Sequence, residues 1–549
     1  MAWDSAYYSS VNEDLLRFIP PDSNRVLEVG CGTGALASRF KRINPKCVYW
    51  GVEADQDAGE AAHNNPDLDI MFSETIEHFL GRYPTECENP DCVVFGDCLE
   101  HLVDPHAVLK KCVEWLKPNG SVVACVPNVQ HWSVIQTLIQ GQWPRMGSGL
   151  FDATHLSWFT KQSLIEMFEA AGLTIAKIVP RNIAPGGERL IDAVKEFGLT
   201  EDVGRFREGC QAYQWLIHAV KGDVPSRKVL IRGFTAEGCC ARPRLTEPGG
   251  MINTIPGFRY SEVTTQVEPG ESVVVVRQRF NITEAAIREH LKHGQLIIGE
   301  WDDDPWYEGF NGKLKTPSVE WALKACHAIQ VSTEAIAELV RPINPNVAVF
   351  PNQIAAVGPE REYVESDVIR VYLGGQRNKG DWDKVIPFVN GMSAASPDVF
   401  HFVVVHDRDL YQALETHRKT FYAFQPYEKY RAILRTCDVT IASLANTRFN
   451  RCKSDITVIE CAVEGVAVIP CNPESSMYTE LRSWKYNKKP SEFAESLRSQ
   501  GRRDRSWSIS NRMLCDHYKK RAAWYDGLLD DKAELDRQLF ERLPELRPT

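Results

Sequence analysis

A chain of 549 residues is too long for one hydrophobic core, so two to four domains are expected. Its formal charge of −10, with acids and bases mixed along the length, removes the electrostatic case for binding nucleic acid. Charged residues interrupt every apolar stretch before it could span a bilayer, and Met1-Ala2-Trp3-Asp4-Ser5 lacks a signal peptide's basic head and apolar core.

Residues 26–29, 48–52, 92–95 and 121–126 read as buried strands, with helical runs at 32–43, 104–117 and 161–172. This alternation predicts an α/β domain with a parallel sheet covered by helices on both faces. A last strand, 213–220, ends at Lys221-Gly222-Asp223-Val224-Pro225-Ser226, which has the composition of a linker. The pattern then restarts with strands at 228–231, 272–277, 296–298, 328–332 and 347–350. It restarts again with strands at 368–373, 399–405, 439–442 and 466–470. Three domains are therefore expected, 1–222, 228–355 and 356–549, the last closing in polar helices over 511–546.

The sixteen cysteines form no CxxC pair. Cys92, Cys98, Cys125, Cys461 and Cys471 lie in apolar runs as small hydrophobes, and the adjacent Cys239-Cys240 makes no framework. Neither a zinc site nor a disulfide scaffold is expected, and a reducing, cytoplasmic setting fits. Asn281-Ile282-Thr283 then matches a glycosylation acceptor by chance.

Val26-Leu27-Glu28-Val29-Gly30-Cys31-Gly32-Thr33-Gly34 sets three alternate glycines between a strand and a helix, where backbone N–H groups face a ligand. Glu28, inside the strand, suits a cationic ligand better than a pyrophosphate. Glu53 ends the next strand, where it can hold two ribose hydroxyls. The loop resembles motif I of class I S-adenosylmethionine-dependent methyltransferases. The likeness continues through Val94-Phe95-Gly96-Asp97-Cys98-Leu99-Glu100-His101-Leu102, Leu116-Lys117-Pro118-Asn119-Gly120-Ser121 and Val126-Pro127-Asn128, over roughly residues 5–220. The resemblance implies S-adenosylmethionine as cofactor. Gly30, Cys31, Gly32 and Gly34 would lie against its methionine part, Glu53 at its ribose, and Asp97 and Cys98 along the pocket.

Transfer to a hydroxyl needs a base where the proton leaves. Phe151-Asp152-Ala153-Thr154-His155-Leu156-Ser157-Trp158-Phe159-Thr160 looks like a segment common in methyltransferases of glycan-synthesis clusters. His155 is the candidate base and Asp152 its orienting partner; His101, after the cofactor strand, competes for the role.

Beyond residue 228 there is no nucleophile elbow, Walker loop or metal-ligand box. Gly299-Glu300-Trp301-Asp302-Asp303-Asp304-Pro305-Trp306, Gly374-Gly375-Gln376-Arg377-Asn378-Lys379-Gly380 and Lys453-Ser454-Asp455-Ile456-Thr457-Val458-Ile459-Glu460 stand in an order that resembles retaining, family-4-like glycosyltransferases of the GT-B architecture, a pair of Rossmann-like domains. The resemblance implies a nucleotide sugar as donor. Arg377, Lys379 and Lys453 would sit by its diphosphate, Ser454 at the helix start and Glu460 on the ribose. Where that family often has a second glutamate this chain has Cys452. Asp302–Asp304 matches an acidic turn of such enzymes, so no obligatory metal is expected. The sequence thus points to a bifunctional enzyme that methylates a sugar hydroxyl and transfers a sugar. The expected partner is a glycan or lipid-linked glycan acceptor, reached without a transmembrane segment and with peripheral membrane contact left open. Two alternatives stand beside it: a small non-sugar methyl acceptor, and a C-terminal half that only binds glycan.

Overall fold

The computed structural model describes residues 9–82, 89–234, 241–262, 273–279, 282–307, 318–362, 366–374, 379–383, 385–470 and 490–548. The chain divides into two compact units. Unit 1 is 1–228 with 253–258, and unit 2 is 229–252 with 259–549. Among the described residues no helix is long and apolar enough to cross a membrane.

Unit 1 is built on β1 (Arg25–Val29), β2 (Val48–Glu53), β3 (Ile70–Ser73), β4 (Cys92–Gly96), β5 (Ser121–Pro127), β6 (Thr174–Ile183) and β7 (Ala212–Val220). They form one sheet in the order β3-β2-β1-β4-β5-β7-β6. β1 pairs with β2 on one side and β4 on the other, all parallel. The connections from β1 therefore diverge there, and a crevice opens past the carboxyl ends of the strands, where open α/β sheets take their ligands. The sheet is not wholly parallel as the sequence pattern predicts. β7 runs antiparallel between β5 and β6, starting at Gln214 opposite Pro127 and ending at Val220 opposite Ser121.

Local chemistry fixes the helix starts around the crevice. The Asp55 carboxylate accepts from the Ala58 N–H and caps Gln56–His63. Asp104 caps Pro105–Trp115, with proline in the first turn where its missing N–H costs nothing. Thr160 and Ser163 form a capping box on Lys161–Ala170. Both faces of the sheet are packed, one around Leu27, Val93 and Phe95, the other around Val26, Val94 and Phe40.

Unit 2 holds two more sheets. The first joins β8 (Val229–Phe234), β9 (Phe258–Glu262), β10 (Val273–Gln278), β11 (Leu296–Trp301), β12 (Ala328–Val331) and β13 (Val347–Val349) in the order β13-β12-β11-β10-β8-β9. The second joins β14 (Ile369–Gly374), β15 (Phe400–Val405), β16 (Lys419–Tyr422), β17 (Val439–Ala442) and β18 (Ala467–Pro470) as β16-β15-β14-β17-β18, parallel throughout. In the first sheet a fully buried ion pair, Arg244 with Glu300 at 2.7 Å, is completed by Asn352 and Gln330. Both charges are hydrogen-bonded, which offsets their desolvation.

Candidate functional site

The three glycines of the loop after β1 all adopt left-handed backbone: Gly30 at φ 74°, Gly32 at 54° and Gly34 at 77°. This is a conformation that side chains resist. The loop is tied to β2, whose Val52 carbonyl accepts from the N–H groups of Gly30 and Cys31. One Glu53 oxygen accepts from the Gly32 N–H at 2.8 Å, the other from Asp55 N–H at 2.9 Å. The carboxylate is therefore fixed at the strand end by two backbone donors. A methyl group added at Gly30 would meet the Cys98 side chain at 3.2 Å, and one at Gly34 would meet Leu68 at 2.6 Å. The loop and the β4 end thus approach as closely as glycine allows.

A cavity of about 1380 Å³ opens here. Glu28, Gly30, Cys31, Gly32, Glu53, Asp97, Cys98, His101, Asp152 and His155 all line it. Gly34 caps the following helix rather than facing the cavity. Glu28 is buried and accepts from the Tyr49 hydroxyl at 3.0 Å. Burial pushes its carboxyl up to about 8, opposed by Tyr49 and reinforced by Glu53. Asp97 sits at φ 51° on the end of β4, with the Gln214 amide donating to it. Burial raises it while Arg181 pulls it down.

The segments 99–101 and 152–157 are held together by the Glu100 carbonyl, which accepts from the N–H groups of Leu156 and Ser157. The His101 and His155 rings meet edge to face at 4.9 Å. Asp152 is not the partner of the His155 ring that its spacing suggests. It accepts from the hydroxyl and N–H of Thr154, and that hydroxyl lies 3.1 Å from His101 Nδ1. Spacing alone could not show the intervening threonine. The His155 ring, buried by its neighbours, lines the cavity beside His101. Burial, then His101, lower His155 below the ordinary histidine range.

Sequence reasoning missed Glu100. It is 2% exposed, its Oε2 has no hydrogen-bond partner, and burial and Asp97 hold it well above the usual carboxylate range. Among the described residues Glu100, His101 and His155 form one set able to take a metal ion, their ligand atoms within 4.8 Å of one another. Arg181 and Gln214, from β6 and β7, were also missed. Arg181 binds Asp14 at 3.1 Å and donates to Gln214 as well.

In unit 2 the expected donor residues are only partly gathered. Arg377 and the side chain of Lys379 lie outside the described residues. Lys453 stands 4.0 Å from Asp303 rather than alone, and Arg279 lies 3.3 Å from the same carboxylate. Arg448 pairs with Asp304 at 2.6 Å. The Ser454 hydroxyl accepts from Asn352 at 2.6 Å beside the start of helix Ile456–Val463. Glu460, on that helix, is buried beneath the Tyr427 and Tyr430 hydroxyls, and burial pushes it up to about 7.

Residues 4–178 match the family model of a methyltransferase domain. This part of the chain is a class I S-adenosylmethionine-dependent methyltransferase domain. The domain is 31% identical over 121 residues to a ubiquinone biosynthesis O-methyltransferase of Bradyrhizobium diazoefficiens, covering 21% of this chain and 45% of that one. To the human mitochondrial enzyme of the same name it is 22% identical over 182 residues, covering 31% and 48%. The chain thus spans about half the length of these curated relatives. A solved methyltransferase from Archaeoglobus fulgidus aligns at 19% identity, covering 40% of this chain and 95% of that one, with a TM-score of 0.29.

The residues present fit a cationic nucleoside: a glycine cradle, a ribose-level carboxylate fixed by backbone, and a buried acid inside the cavity. At neutral pH Glu28 keeps its proton in the free protein and loses it when a cation settles nearby. Affinity for S-adenosylmethionine is therefore expected to rise with pH, by up to about tenfold per unit below 8, and to level off above it. Without ligand the sign reverses. A carboxyl raised on folding contributes stability that is complete below its unfolded value of 4.5 and lost as pH rises through 8. Calorimetry across this range checks the first effect, and Glu28→Gln should flatten it.

Proposed function

We propose that unit 1 transfers a methyl group from S-adenosylmethionine to a hydroxyl oxygen. The observation that carries this reading is one cavity lined by the glycine loop, Glu28, Glu53 and His155 together. When bound, the cofactor supplies an electrophilic methyl group. The chain's own residues hold the nucleoside, orient the acceptor and take its proton. His155 accepts that proton, and its lowered affinity for protons keeps it neutral and available at pH 7. A second reading is favoured by Glu100, whose unpartnered oxygen beside His101 and His155 suits a divalent cation that would polarise the acceptor oxygen.

The proposed acceptor is a sugar hydroxyl. The support is the look of residues 151–160 and the linkage to unit 2, which would keep two activities near one growing glycan. The names of the curated relatives favour instead a small aromatic hydroxyl. For unit 2 we infer glycosyl transfer from a nucleotide sugar, supported by its two successive sheets, by Lys453 and Ser454 just before one helix, and by Glu460 within it. The pairing of Lys453 with Asp303 and the presence of Cys452 favour the alternative, a module that binds glycan without catalysis.

Two assays test these readings. Labelled S-adenosylmethionine should mark glycan acceptors; label passing only to catechols rejects the sugar, and label passing to neither rejects the hydroxyl acceptor. Calorimetry should detect UDP or GDP sugars, and heat from glycan alone turns unit 2 into a binding module.

A further inference from the structure

The helix Trp132–Ile139 and the loop behind it carry an apolar surface that the methyl-transfer reading does not use. Leu138, Ile139, Trp143, Met146, Leu156 and Trp158 are all exposed, Ile139 by 72% and Trp143 by 40%. They are not the tips of a slack loop. Gln142 N–H donates to the Thr137 carbonyl, Met146 N–H to Phe151, and Ala153 N–H to Met146. The Arg145 side chain reaches the Ala153 carbonyl. The Trp143 ring packs edge-on against Phe151 at 5.2 Å and Trp158 at 5.8 Å, so it is fixed in place while open to solvent. An apolar face pinned in this way cannot withdraw from water and implies a partner.

Charge narrows the choice of partner. Residues 118–151 of this acidic chain contain a single Asp, Glu, Lys or Arg, which is Arg145. Soluble protein partners are usually met with a polar rim around the apolar core. Tryptophan beside aliphatic side chains is a composition enriched at membrane interfaces, and with one arginine and no acid the segment lacks the Lys/Arg-rich face that draws amphipathic anchors to anionic lipid. We propose that this face seats unit 1 on a lipid bilayer, held mainly by apolar insertion. The same segment supplies Gly147, Ser148, Gly149, Asp152, Thr154 and His155 to the cavity wall. On the methyl-transfer reading, an acceptor carried in the bilayer then meets His155 at the membrane surface.

Flotation of the full chain with phosphatidylcholine vesicles, with and without one fifth phosphatidylglycerol, tests the proposal. Expected is binding to the neutral vesicles, little increased by anionic lipid, and weakened at least about tenfold by Leu138→Glu with Ile139→Glu. Binding of S-adenosylhomocysteine by calorimetry should be unchanged in that variant, which separates failure of the membrane claim from failure of the cofactor claim. If the double variant melts early, Leu138→Gln with Ile139→Gln replaces it. No flotation, flotation only with anionic lipid, or flotation indifferent to these substitutions overturns the proposal. A dimer on gel filtration that Ile139→Glu dissolves, without vesicle binding, assigns the face to a second copy of the chain.

Discussion

Replacing Gly34 by valine is expected to remove measurable binding of S-adenosylhomocysteine and to lower the melting temperature of unit 1. Two costs coincide at this position. A side chain at φ 77° takes a left-handed conformation that costs about 1–2 kcal/mol. Its Cβ would also stand 2.6 Å from Leu68 and 2.7 Å from Asn65, an overpacking worth about 1–3 kcal/mol. Asn65 is itself bonded to the Thr33 and Gly34 carbonyls, so it cannot swing away without releasing the loop. The strain is relieved only by moving the loop, and with it Gly30, Cys31 and Gly32, which line the cavity. Together the costs correspond to a loss of roughly thirtyfold to several-thousandfold in affinity. Gly172 supplies the control. It has φ 89° and no atom within 4 Å of an added Cβ, so Gly172→Ala should cost stability through the backbone alone and leave ligand affinity intact. Equal losses at both positions would mean that the glycine loop is scaffolding rather than a cradle.

His155→Ala should reduce kcat by about 10²- to 10⁴-fold, the usual share of a positioned base, with cofactor affinity unchanged. The pH profile adds a second readout. Burial and the neighbouring His101 disfavour the imidazolium, so the acid limb of the activity should fall below the ordinary histidine range. His101→Ala separates the two mechanisms. If His155 acts as a base, loss of His101 removes a neighbouring charge, shifts the acid limb upward and costs little rate. If Glu100, His101 and His155 hold a metal ion, each loss should be severe. Activity should then vanish with a chelator and return with a divalent salt. A full rate in His155→Ala removes both readings.

The sequence made the β1 loop legible because every signal there is local. A buried strand, alternate glycines and an acid at the next strand end lie within 28 residues of one another. β3 and β16 were missed because both are edge strands only partly buried, without the fully buried apolar run that marks the equally short β12 and β17. β6 was missed because Lys177, Pro180 and Arg181 break its alternation, as an edge strand permits. The direction of β7 is invisible in any pattern of period two, which is the same read forwards or backwards. Among the site residues, Glu100 sits in a Leu-Glu-His stretch that looks like a polar helix end. Only the fold buries it to 2%. Asp152 has the right spacing from His155 and the wrong partner, since Thr154 comes between. Asp97, Gln214 and Arg181 meet across strands far apart in sequence, which no local pattern records.

The reversed course of β7 also decides where the polypeptide exits. Val220 finishes opposite Ser121, the first residue of β5, at the amino end of the parallel strands, opposite the end that carries the glycine turn. The backbone thus leaves this sheet at the end away from the strand tips that line the cavity.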